Sequence, residues 1–368
     1  MEAKARYACT PGTVRGRGIL LGGCARKGQL LYTNGKNVII RDLKNPGLCD
    51  VYTDHGYAAT VARFSPNGEW IASADAAGHV RVWASHTLGC DPVLKAEHQP
   101  LSGSIDDMQW SADGQRIVVC GEGKETRAKC IMWDSGNPVG EFDGISKRCN
   151  SCDFKPSRPF RIVTGAEDFK TNLYEGPPFK FSKSSTGHTN FVNCVRYSPN
   201  GERFVSVGSD QKGFLYDGKT GDTLCELPAG GLRGEGHKGS IYSVNWSPDN
   251  AQVLTASADK TVKLWDVSGA EAKVVTTFSL ASAPQVEHMQ VGGFWLGDLM
   301  GSVSLSGDIN YFDPRAGTSP VQVVRGHSKT VTALSLAPND ELYTASYDGV
   351  VSRWQTSVGC VGRVQGKG

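Results

Sequence analysis

The 368-residue sequence predicts an all-β chain, a β-propeller whose small four-stranded sheets form a ring. One observation is a unit that recurs along the chain. It is clearest at Gly236–Asp266, GHKGSIYSVNWSPDNAQVLTASADKTVKLWD. A Gly-His pair opens it, a period-two strand runs to Trp246, Ser247-Pro-Asp-Asn250 turns, and two more short strands end at Trp265. The other observation is spacing. From His55 to Trp83, His188 to Tyr216 and His237 to Trp265 is 28 residues each, and from His327 to Trp354 it is 27. Trp133, Tyr174 and Phe312 are further closers, and Arg41 holds that place in the first unit, so eight units fill the chain.

In each intact unit an imidazole, a hydroxyl, a carboxylate and an indole can close one buried hydrogen-bonded chain. The expected sets are His237, Ser257, Asp259 and Trp265, and His327, Ser346, Asp348 and Trp354. These residues resemble the WD-repeat family, which implies a WD40 propeller. Seven blades over 15–318 are expected, with one additional blade-like repeat at 319–356, an N-terminal segment 1–14 and a tail 357–368.

The units differ in instructive ways. The first, 15–45, ends at Asn45-Pro46-Gly47. In the second, Asp75 stands where the serine is expected and Ala77 where the carboxylate is, so its network must be incomplete or rearranged. The third carries an insertion at 122–129, and a lengthened loop of this kind is tolerated and faces outward. The fourth lacks the histidine, keeps Asp168, and is followed by Glu175-Gly-Pro-Pro-Phe-Lys-Phe181, which is expected to place two phenylalanines around a lysine on an outer segment. The seventh is degenerate, and Gly230–Gly236 reads as a loop between blades.

Composition excludes several classes. A net charge of +2 argues for neither a nucleic-acid nor a membrane partner. The N-terminus lacks a secretory apolar core and no 18-residue apolar run follows, so a cytoplasmic protein is expected. Eleven scattered cysteines read as reduced thiols, with Cys149 and Cys152 as core residues and no metal or other cofactor implied. Gly213–Thr220 matches the letters of a phosphate-binding loop, yet Phe214–Tyr216 reads as strand, without the required helix N-terminus. Asn245-Trp-Ser247 is a sequon in form only, placed on an inner strand. No acid and base pair or nucleophile elbow is legible, so an enzyme is not expected.

Longer motifs narrow the resemblance. Tyr32-Thr-Asn-Gly-Lys36, Trp133-Asp-Ser-Gly136, Ser157-Arg-Pro-Phe-Arg-Ile162, Glu175–Phe181, Phe191-Val-Asn-Cys-Val-Arg-Tyr-Ser-Pro199, Tyr216-Asp-Gly-Lys-Thr-Gly221 and Ser302-Val-Ser-Leu-Ser-Gly307 look like the actin-interacting protein 1 family, the WD-repeat cofactors of cofilin. The resemblance implies a partner surface for cofilin-decorated actin filaments, and cooperation with cofilin/ADF in their disassembly. Carried over, the contact residues are Glu125, Glu167, Lys180, Phe181 and Phe191. It also implies a second ring, closed in part by the extreme N-terminus. The alternative is a general WD40 scaffold, such as a substrate receptor in a multi-subunit complex.

Overall fold

The computed structural model describes residues 7–45, 49–84, 92–228, 235–339, 341–355 and 359–365. Among them the regular elements are strands, apart from one helical turn at Val286–His288. They form eight antiparallel sheets, each built from strands consecutive in sequence. Seven have four strands. The third has three (Ile105–Trp110, Arg116–Gly121, Ala128–Met132), continued outward by a bridge from Ile131 to Pro138.

The turn after each inner strand shows why the repeat folds locally. In blade six the Ser247 hydroxyl donates to Asp249 at 2.5 Å, and Gln252 N donates back to Ser247 Oγ at 2.9 Å. Ser65 with Asn67, Ser111 with Asp113 and Ser198 with Asn200 make the same clasp. Short side-chain acceptors therefore fix the reversal in these four blades, and the β-branched and aromatic residues between the turns pair into strands.

Seven sheets close the ring of a WD40 β-propeller. The inner strand of blade one, Gly22–Cys24, packs against that of blade two, Ala59–Phe64, and that of blade seven, Gln290–Leu296. One apolar cluster joins Leu30, Tyr32 and Ile39 of blade one to Val291, Phe294 and Val303 of blade seven. Across the centre, Val14 and residues 16–20 line the mouth of the channel, and Leu20 packs against the clusters of blades two and three and also those of blades five and six.

The eighth sheet lies outside this ring. Its innermost strand, Val331–Leu336, is exposed along its whole length. Two boundaries around it differ from expectation. Gln322–Val324 is the outer strand of blade seven, and Gly359–Gln365, expected as tail, is the outer strand of the eighth sheet. Each sheet takes its outer strand from the chain that follows its third strand, so both boundaries move downstream.

Residues 7–12 run between blade one and the eighth sheet. Thr10 N donates to His327 O at 2.9 Å, Gly12 N to Thr33 O at 2.9 Å, and the Tyr7 ring lies tilted against that of Trp354 with centroids 5.6 Å apart. Arg363 pairs with Asp308 of blade seven at 2.7 Å. Residues 1–6, Pro46 and Gly47, most of the 230–236 loop and the ends of the 357–368 stretch lie outside the described residues.

Candidate partner-binding surface

The polar chains inside the blades form, with one correction. His237 Nδ1 lies 2.8 Å from Asp259, but its Nε2 meets Thr255 Oγ1 at 2.7 Å, and the Trp265 indole donates to that same oxygen at 2.8 Å. In the eighth sheet Thr344, not Ser346, takes this place, 2.8 Å from His327 and 2.6 Å from Trp354, while Asp348 lies 3.0 Å from His327. The reason is reach. Trp265 pairs across the sheet with Val253. Thr255 is two residues further along on the same face, whereas Ser257 is four, roughly 13 Å at strand rise. Ser257 and Ser346 instead donate to the carbonyls of Gly239 and Lys329.

Blade two is rearranged, not broken. His55 and Trp83 share Ser73 at 2.7 and 3.0 Å, and Asp75 reaches His55 at 3.4 Å while accepting from the backbone of Ala77 and His79. Burial lowers the basicity of His55 and His237. These groups serve the blades, each hydroxyl being held between an imidazole and a ring donor.

The inner strands of blades two, three and five share a second buried network. Asp107 lies between Arg63 at 3.0 Å and Arg196 at 2.7 Å, and burial pushes Asp153 up to about 6. Cys149 and Cys152 are buried in the core between blades three and four, and burial pushes Cys152 up to about 11. Gly213–Asp217 is a strand, and Asn245 lies on an inner strand.

The surface residues fall into two groups. The insertion expected at 122–129 is loop over 122–127, its last two residues opening the third strand, and Glu125 is exposed on it. Glu167 is half-buried on the equivalent turn of blade four, its N–H bonded to Arg148 O at 2.9 Å. Arg148 in turn donates to Asp106 at 2.6 Å and Glu122 at 3.0 Å. Glu167 and Phe191 border one depression of about 310 Å³ at the channel mouth, together with Arg17, Asp106 and Arg148. Phe191 is 39 % exposed.

Lys180 and Phe181 sit instead on the outer strand of blade four, Lys180–Ser185, away from that depression. Lys180 is exposed, and Phe181 is 45 % exposed with its edge against Tyr174 at 6.0 Å. Phe179, expected beside it on the outside, is fully buried against Phe154 and Phe142. Its carbonyl accepts from Glu141 N at 2.8 Å, which clamps the segment onto blade three and turns the ring inward.

Sequence reasoning passed over Phe169. It is 36 % exposed on the turn that carries Glu167, and its ring centroid is 5.9 Å from that of Phe191. The signal that could have found it is a bulky aromatic in a turn position that is elsewhere glycine or polar.

Comparison with known proteins bears on what this surface meets. A model of the WD domain, G-beta repeat, matches residues 48–84, 179–217, 231–266 and 318–355. "Actin-interacting protein 1-2" of Arabidopsis thaliana is 50 % identical over 99 % of this chain and 60 % of its own length. "Actin-interacting protein 1" of Drosophila melanogaster is 45 % identical over 100 % of this chain and 59 % of its own. The chain belongs to the actin-interacting protein 1 family. "WD repeat-containing protein 1" of Gallus gallus is a further relative, 44 % identical over the whole chain. This member of the family spans about 60 % of the length of the curated relatives it matches. A crystal structure of the computationally designed Ika8 protein, 20 % identical, superposes with a TM-score of 0.59 over 85 % of this chain and 88 % of that one, a likeness of fold alone.

Proposed function

We propose that this chain is a non-catalytic WD40 module of the actin cytoskeleton that recognises actin filaments carrying cofilin and promotes their disassembly. The observation that carries the reading is the exposed aromatic Phe191 beside Glu167 at the channel mouth, in a chain similar to proteins named for interaction with actin. An accessible ring flanked by charge is the anatomy of a protein-binding hot spot. Phe181, Lys180 and Glu125 extend the contact around blades three and four. Contacts stronger with the cofilin-bound filament than with the bare one would shift the balance toward fragmented states.

Co-sedimentation tests this. The chain is expected to pellet with cofilin-decorated filaments and to shorten them, and equal pelleting with bare filaments and no shortening would sink the proposal. Phe181→Ala is expected to weaken binding about tenfold with an unchanged melting temperature. Capture of other assembly subunits, with no actin, would favour the scaffold reading.

A further inference from the structure

Six of the eight second-to-third-strand turns share one backbone solution. Each has a residue in the left-handed region: Gly78 (φ 93°), Phe169 (68°), Gln211 (69°), Lys260 (73°), Gly307 (86°) and Gly349 (78°). At Phe169, as at Lys260, Gly307 and Gly349, the N–H donates to the carbonyl three residues back. Glycine adopts this conformation without steric penalty, polar residues tolerate it, and a phenylalanine is strained there. The turn does not require the ring. Asp168 already fixes it by accepting from the Ser146 N–H and hydroxyl, both at 2.9 Å, and from Lys170 N at 3.2 Å.

The strained side chain is also not used for the core. Its ring stays at the surface, capped on one side by Lys147 Nζ at 5.8 Å from the centroid and leaning on Phe191 on the other. The two rings bridge the turn of blade four and the lead-in of blade five, and Glu167 is two residues away. Strain at a turn that does not need the ring, with the aromatic left at the surface, marks a contact.

We infer that Phe169 is a further specificity-determining residue of the partner surface, forming with Phe191 a two-ring anchor that the cofilin-decorated filament buries. This rests on the functional reading above. The occupant follows from continuity with Glu167 and Phe191 and from the mixed setting, a carboxylate on one side and the Lys147 ammonium on the other, which suits an apolar hollow rimmed by both charges.

The test uses the backbone against the side chain. Phe169→Gly relieves the turn and removes the ring, so it is expected to raise or preserve the melting temperature while weakening binding to cofilin-decorated filaments about tenfold. Lys260→Gly relieves the same turn position in blade six, so it is expected to match that thermal effect with unchanged binding. Phe169→Tyr is expected to bind as the natural chain does. Full binding by Phe169→Gly, with the natural chain also binding, overturns this inference and leaves the functional reading standing. A marked fall in its melting temperature overturns it too, by returning the ring to packing. Failure of the natural chain itself to bind decorated filaments defeats the reading and this inference together. Dimerisation of the natural chain that Phe169→Gly abolishes, with filament binding intact, assigns the anchor to a second copy and overturns the filament assignment.

Discussion

Blade six and the eighth sheet contain nearly the same polar chain, and only one is enclosed. The His, Thr, Asp and Trp distances agree to within a few tenths of an ångström. Yet Val244 on the inner strand of blade six is 1 % exposed, and its counterpart Leu334 is 70 % exposed. The comparison separates two jobs. The hydrogen-bonded chain sets the internal geometry of a sheet, and apolar burial between sheets supplies the stabilisation that holds it in place.

Charge on the inner strand breaks the comparison most sharply. Val244→Lys forces an ammonium into a closed interface and is expected to cost more than about 4 kcal/mol, enough to prevent folding of the ring. Leu334→Lys is expected to leave the melting temperature within a degree or two and to improve solubility, both read by calorimetry and light scattering. Next comes the closing indole. Trp265→Ala should lose about 3–5 kcal/mol of ring stability in denaturant titration, whereas Trp354→Ala should speed hydrogen exchange in the eighth sheet alone, since that sheet opens without the ring.

A finer pair tests the corrected hydroxyl. Thr255→Val strands the His237 Nε2 and the Trp265 N–H and should cost about 1–3 kcal/mol, against about 1 or less for Ser257→Ala. Equal losses would restore the serine to the chain. The smallest effect is in pH. Burial depresses His237, so the fold prefers the neutral ring, and that contribution is present above pH 6.5 and fades as pH falls below it. Asp259 is held low by its His237 hydrogen bond in spite of burial, so its share persists above 3.8 and is lost only in stronger acid. Chemical-denaturation midpoints between pH 8 and 5 should therefore fall, with a flatter profile in His237→Gln.

What the sequence made legible follows from periodicity. The 28-residue spacing from histidine to aromatic and the period-two strands sufficed for eight sheets, because each blade repeats the same local chemistry. Thr255 was missed because two hydroxyls on one strand face are equivalent until the cross-strand register is known. Phe179 and Phe181 share parity, so alternation could not separate them, and the clamp on Glu141 that buries the first is a contact between blades. The strand Gly359–Gln365 has three glycines or cysteines in its first four residues and little β signal of its own; pairing with Val350–Gln355 decides it. Phe169 was hidden because turns accept most residues, and only its φ of 68° shows that this one is held against its preference.

Leu20 gives the ring a brace across its hub. With opposite sides of the wheel braced on one side chain, squeezing the propeller into an oval must expel that wedge, so the blades move as one rigid disc.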